Sequence, residues 1–255
     1  MAVHHYQLKL TTVGPVFIGS GNEIKKFEYA YDPKSRSVYV IDSLKLFKLL
    51  TAEQLERFEG HIIRNKSKNL TEFFDAVGIR PEKYKSIAKY SYESAFPDNH
   101  NIKEFIKDAY GQPYIPGSSI KGAVRTALLY NLIKDNENVA SKARAEIMRE
   151  ISERHFDRKN IRNIENISSR LEQQLINTLK IDSRNSSVKS IMKGFLISDS
   201  KPLSVNDLCL CKKIDVALEK EDENTINLPR ECISPDTEIV FDVDIDDKYF
   251  PYDIR

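Results

Sequence analysis

Apolar and polar residues alternate through Tyr6, Leu8 and Leu10, the period of a half-buried strand, until Gly14-Pro15 interrupts the run ahead of Val16–Ile18. A glycine loop at Gly19-Ser20-Gly21 is expected next. Phe27, Tyr29 and Tyr31 alternate before DPKSRS, and Val38–Ile41 follows it, which predicts a hairpin about a proline-containing turn. The spacing then becomes helical. Asp42 or Ser43 is placed to cap a helix with Leu44, Phe47 and Leu50 inward, Thr51 and Gln54 have capping-box spacing, and Phe73, Phe74 and Val77 lead to a stop at Gly78.

From Asn138 to about Leu179 there is neither proline nor glycine, and Ile147, Ile151, Ile161, Ile164, Leu171 and Leu175 form partial apolar stripes among Arg, Lys and Glu. This reads as a helical insertion. Strand patterns return at Gly194–Ser198, Leu208–Ile214 and Ile239–Ile245. The interleaving predicts an α+β protein.

The stretch YIPGSSIKGAVRTALL, Tyr114–Leu129, joins an extended segment to an amphipathic helix. Pro116 and Gly117 break the strand-like run, and Ser118 or Ser119 is expected to cap the helix. Ile120, Val124 and Leu128 recur at spacing four, as do Lys121 and Arg125. A helix N-terminus with free N–H groups, a glycine that admits a close backbone and two cations in the first turns suits a phosphate. Two other glycine motifs are excluded. Ala123 and Val124 stand where a P-loop needs Lys and Ser or Thr, and Ile24 takes the third glycine's place of a dinucleotide fingerprint. Nucleotide cofactors lose their support, and none is expected.

At 255 residues, 40% hydrophobic and 30% charged, the chain can bury a core. No apolar run approaches the roughly 20 residues that span a bilayer, and MAVHHYQLKL lacks a signal-peptide core, so a cytoplasmic protein without a membrane partner is expected. Cys209, Cys211 and Cys232 form no CxxC pair and are expected to be reduced, buried thiols. The net charge of +1 conceals an asymmetry: residues 215–255 carry 13 acidic and four basic side chains, a net of −9, against +10 for the rest. A polyanion is therefore expected on the basic body.

IPGSSIKGAVRTALL resembles the glycine-rich loop and helix of the RAMP superfamily, the RNA-binding subunits of CRISPR effector complexes. The likeness extends to LTTVGPVFIGSGNEIKKFEYAYD, to GFLISDSKPL at Gly194–Leu203 and to LPRECISPDTEIVFDVDID at Leu228–Asp246. Together these resemble the subunit that ends the backbone of type III-A (Csm) complexes at the guide RNA 3′ end. The resemblance implies a ferredoxin-like (RRM-like) core with large helical insertions and a partial second unit. It divides the chain into a core over 1–133, a helical insertion over 134–193 and returning strands over 194–255, in a subunit that is usually longer. The implied partners are CRISPR guide RNA, the adjacent RAMP backbone subunit, the small helical subunit and host nucleases that mature the guide. The implied RNA contacts are Gly117, Ser118, Ser119, Lys121, Gly122 and Arg125, joined by Gly19, Ser20, Gly21, Lys25 and Lys26.

Catalysis finds little support. Asp32 is superficially the nearest counterpart of the aspartate with which backbone subunits cut target RNA, but Asp-Pro at a hairpin turn reads as a turn residue. His4, His5, His61, His100 and His155 lack metal or acid–base spacing. Asp242, Asp244 and Asp246 share a strand face that reads as solvent-facing rather than as a metal site. In KYKSIAKYSYESAF, Lys83–Phe96, lysines interleave with Tyr84, Tyr90 and Tyr92, which offers base stacking, although tyrosines at helical spacing more often belong to a core. The reading is a non-catalytic RNA-binding subunit; the alternatives are an endoribonuclease or a purely structural assembly protein.

Overall fold

The structure, a computed structural model, describes residues 2–64, 69–94, 100–152, 157–180, 189–216 and 223–250. His155 lies outside them, as do the last two residues of Lys83–Phe96. The chain forms two units, each discontinuous in sequence: one of residues 1–8, 115–200 and 240–255, the other of residues 9–114 and 201–239.

The second of these units is built on a seven-stranded sheet. β1 (Val3–Thr11) carries the first alternation and runs into this unit, where β2 (Gly19–Ile24), β3 (Tyr29–Asp32), β4 (Ser37–Ile41), β5 (Ala88–Ser94), β6 (Ile102–Phe105), β8 (Leu208–Val216) and β9 (Glu223–Ile233) pair in the order β2-β6-β9-β8-β5-β4-β3. The predicted hairpin is β3–β4, with Tyr29 opposite Val40 and Asp32 opposite Ser37. Four helices, α1 (Ser43–Leu49), α2 (Ala52–Arg64), α3 (Leu70–Ala76) and α4 (Pro81–Ser86), connect β4 to β5. Asp42 caps α1 by accepting from the N–H groups of Leu44 and Lys45. Thr51 and Gln54 cap α2 reciprocally, and Gly78 ends the α3 region at φ +70°.

One expectation for α1 is wrong. Leu44 and Phe47 are 74% and 50% exposed, and the buried face is carried by Leu46, with Leu50 after the helix. A seven-residue helix pinned at Asp42 makes only about two turns, so the rotation of its start selects the buried residues. Leu46 and Leu50 enter a core with Phe58, Leu70, Phe73, Phe74, Tyr84 and Ile87. Full burial of each large side chain contributes roughly 1.5–3 kcal/mol.

The other unit holds the three-stranded sheet β1-β10-β7, formed with β7 (Phe195–Ile197) and β10 (Glu238–Asp246), and three helices, α5 (Gly117–Lys134), α6 (Glu137–Ile151) and α7 (Arg158–Leu175). Among the described residues, the long helical stretch thus holds two helices, α6 and α7. Asp157 and Asn160 form a capping box that starts α7. Val124, Leu128, Leu129 and Leu132 of α5 pack on Ile176, Ile191, Met192 and Phe195. The predicted α+β class holds, and no helix among the described residues is long and apolar enough to cross a membrane.

Candidate nucleic-acid interface

The start of α5 is built by three backbone facts. Ile115 is buried, donates its N–H to Ser200 Oγ at 2.9 Å and accepts from the Ser200 N–H at 2.9 Å, which fixes the incoming segment. Pro116 is the N-cap, with φ −60° and ψ 131°, and supplies no side-chain cap. Gly117 follows so close to β7 that an added Cβ would lie 2.5 Å from Ile197 O and closer still to Ser198 O. Its glycine identity therefore serves helix–strand packing.

Ser118 and Ser119 do not cap the helix as expected. Helix formation begins at Gly117, at least two residues earlier than that reading requires, so both hydroxyls sit exposed in the first turn. The first N–H, that of Gly117, donates instead to Asp199 Oδ1 at 2.8 Å. An internal carboxylate thus takes part of the helix N-terminal positive potential.

Beside this turn lies a cleft of about 430 Å³ lined by Gly117, Ser118, Lys121, Leu196, Ser198, Asp242 and Asp244, among others. Lys121 has no ion-pair partner among the described residues, and burial pulls its ammonium below the ordinary lysine range. An anion brought into the cleft would reverse that depression. Asp244 is held by His5, whose Nδ1 lies 2.6 Å from Asp244 Oδ1. The acidic C-terminal strand therefore lines the same cleft as the cation, so charge separated along the sequence is mixed in space. Gly122 is exposed, with open space where a Cβ would stand.

Arg125 is less available than its spacing suggests. Its guanidinium donates to Glu172 Oε2 of α7 at 2.6 Å, while its Nε is buried without a hydrogen-bond partner. The partner is 47 positions away in sequence, beyond the reach of a spacing argument.

Gly19, Ser20 and Gly21 lie in the other unit, and on strand β2 rather than in a loop. A Cβ at Gly19 would stand 3.0 Å from the Phe17 ring, Gly21 has φ +90°, and Ser20 Oγ donates to Glu104 at 3.0 Å. Lys25 pairs with Glu23 at 2.9 Å, and the Lys26 N–H donates to Asn101 Oδ1 at 3.2 Å. Hydrogen bonds from Lys103, then Lys25 and Asn101, hold the Glu23 carboxyl at about 2.

Of the two readings of the tyrosines, the core one holds and the stacking platform does not. Tyr84 and Tyr92 are 3% and 4% exposed, and Tyr90 donates its hydroxyl to Glu231 Oε1 at 2.8 Å, so these rings belong to the interior. Tyr90 and Tyr92 alternate on strand β5, not on a helix. His61 is likewise buried against the Asn69 carbonyl at 3.0 Å.

Asp32 is consumed by its turn. Its carboxylate accepts from the Lys34 N–H at 3.0 Å and Ser35 Oγ at 2.9 Å, and meets Lys85 Nζ at 2.6 Å. Burial alone would push this carboxyl up, but Lys85, Ser35 and the Lys34 amide outweigh it and hold the group at about 2. Folding therefore favours the ionised form, a contribution complete above the ordinary aspartate value near pH 4 and lost as pH falls through about 2. Asp32→Ala should lower stability by about 2 kcal/mol, the scale of a hydrogen bond to a charged group. Urea melts should show that loss at pH 7 and a smaller one near pH 2.

A family model for the RAMP superfamily matches residues 9–253. The CRISPR system Cms protein Csm5 of Streptococcus thermophilus is 28% identical over 252 residues, covering 93% of this chain and 63% of the relative. A Csm5 of Mycobacterium tuberculosis (strain CDC 1551 / Oshkosh) is 26% identical over 265 residues, covering 94% and 66%. The chain thus spans just under two thirds of the length of these relatives. In fold, it matches the crystal structure of T. onnurineus Csm5 with a TM-score of 0.67 at 23% identity, over 94% of this chain and 68% of that one. A chain in the cryo-EM structure of a Csm-crRNA-target RNA ternary complex of a type III-A CRISPR-Cas system matches with a TM-score of 0.61 at 22% identity, over 94% and 64%. At these identities the structural likeness is one of fold, an α+β fold consistent with a ferredoxin-like core.

Proposed function

The chain belongs to the RAMP superfamily, and from that premise we propose that it is a non-catalytic RNA-binding subunit of a type III-A CRISPR ribonucleoprotein. It caps the backbone at the guide RNA 3′ end, beside the adjacent RAMP subunit and the small helical subunit, and assists guide maturation by host nucleases in the prokaryotic cytoplasm. The Csm5 names of its relatives support the complex. The observation that carries the RNA role is the uncommitted Lys121 at the α5 cleft, flanked by exposed Ser118, Ser119 and Gly122. Lys121 holds a phosphate of the guide, and the two serine hydroxyls and the open Gly122 backbone admit the strand closely. The binding is sequence-tolerant because it rests on phosphate. The engagement of Asp32 in its turn supports the absence of cleavage at that residue.

Lys121→Ala should weaken binding of a labelled single-stranded guide-like RNA several-fold at every sequence and reduce the salt slope by about 0.7, the contribution of one phosphate contact on a single strand. Arg125→Ala, which releases Glu172, should change the slope less than Lys121→Ala does and lower thermal stability more. An unchanged slope in Lys121→Ala sinks the grip. RNA affinity intact while association with neighbouring subunits falls identifies an assembly protein, and RNA cleavage lost in Asp32→Ala identifies an endoribonuclease.

A further inference from the structure

The three cysteines, unremarkable in sequence, meet on one sheet face. Cys209 and Cys211 are two apart on β8, which puts both side chains on the same side, and Cys232 of β9 is the register partner of Cys209. The Cys209 and Cys211 sulfurs are 3.7 Å apart, and the Cys211 thiol also meets that of Cys232. All three are free; Cys232 is buried and the other two are half-buried. Leu208, Leu210, Glu231 and Ile233, the alternating neighbours, are buried on the opposite face. The pairing register is set by that inner face and so holds the thiols together irrespective of their own chemistry.

We propose that this cluster is a two-electron oxidation site for peroxide, in which half-buried Cys209 takes the oxidant and buried Cys232 resolves it into a cross-strand disulfide. The backbone register favours this pair. Directly opposed residues of an antiparallel pair have Cα atoms about 4.5–5.5 Å apart, inside the range that a disulfide spans. Residues two apart on one strand are separated by roughly 6.6 Å, at the upper limit. In the first step Cys209 Sγ attacks a peroxide oxygen; the O–O bond breaks, leaving a sulfenic acid and one water. In the second, Cys232 Sγ attacks the Cys209 sulfur; the S–O bond breaks, and the Cys232 proton leaves with the departing hydroxyl as a second water. Two thiols lose two electrons and two protons, and one peroxide becomes two waters. The hydrogen bond with Cys211, then burial, pushes the Cys209 thiol above its ordinary range, which keeps its thiolate scarce and makes the first step slow.

The test is peroxide treatment of the folded full chain, alkylation of the remaining thiols and mass spectrometry of non-reduced peptides. The expected result is a Cys209–Cys232 peptide pair, a fall from three alkylatable thiols to one, reversal by dithiothreitol and a rise of several degrees in melting temperature, because the bond closes the β8–β9 ring in the unfolded chain. Cys211→Ser should still form the bond, whereas Cys232→Ser should stop at a Cys209 sulfenic acid that dimedone traps. Three alkylatable thiols after treatment, a dominant Cys209–Cys211 bond, or cross-linking only between chains or only in urea would each overturn the assignment.

Discussion

Glu231→Ala should destabilise the unit built on the seven-stranded sheet by about 3–5 kcal/mol, the scale expected when one partner of a buried ion pair is removed. Glu231 is completely buried and accepts from three directions: Lys107 Nζ at 2.5 Å and the Phe105 N–H at 3.0 Å on Oε2, and the Tyr90 hydroxyl on Oε1 at 2.8 Å. The Lys107 side chain is only 8% exposed, and its ammonium lies 4.9 Å from the centre of the Tyr90 ring. Removing the carboxylate strands that ammonium, a backbone N–H and a hydroxyl at once. The remaining acidic neighbour, Glu104, is 3.5 Å from Lys107 Nζ and itself more exposed, so it offsets the loss only in part.

Circular-dichroism melts should register the change as a drop of roughly 10 °C, at about 2–4 °C per kcal/mol for a chain of this size. The paired change Glu231→Leu with Lys107→Met should recover most of it, because the cost lies in the uncompensated charge rather than in the volume. If Glu231→Ala melts within a degree or two of wild type, the cluster is solvated in solution and is not a keystone of the sheet.

Glu231 also shows where the sequence stops being readable. In LPRECISP it is one of two adjacent charged residues, two positions after a proline, and its three partners come from β5, from β6 and from just beyond β6. Local signals carried well: the β3–β4 hairpin, the Thr51–Gln54 cap, the stop at Gly78 and the α5 helix each depend on residues within a few positions of one another. Strand pairing does not. β6 and β9 have short or interrupted alternation, and β5 offers only Tyr90 and Tyr92, two apart at a strand's period, too short a run to stand out among the lysines. The same limit governs the candidate site. The sequence supplies the loop, Lys121 and the helix, but Asp199 at the Gly117 N–H, Glu172 on Arg125 and His5 on Asp244 are long-range partners that no spacing reveals. Asp199 had only a weak signal, an acidic residue at the exit of the short strand in GFLISDSKPL.

Gly117→Ala and Gly122→Ala should behave oppositely, although both remove a glycine from the first two turns of the same helix. At Gly117 the new methyl meets the carbonyls of Ile197 and Ser198, backbone atoms that no rotamer change can move aside. Overpacking of this kind costs about 3 kcal/mol, at the upper end of its usual range, and it also pries the Gly117 N–H from Asp199. α5 must then shift off β7, and the cleft between Lys121 and Ser198 changes shape. Both stability and RNA affinity should fall.

At Gly122 the methyl meets nothing within 4 Å, and alanine in a helix interior stabilises by roughly 0.5–1 kcal/mol. A stability gain accompanied by weaker RNA binding would mean that the nucleic acid lies against the backbone at Gly122, since no other consequence of the added methyl opposes binding. A stability gain with unchanged affinity would move the strand off this face of α5 and leave Lys121 to reach it from the cleft side alone. Measuring both variants by urea melts and by RNA titration at one salt concentration separates the glycine that the fold requires from the glycine that the ligand requires.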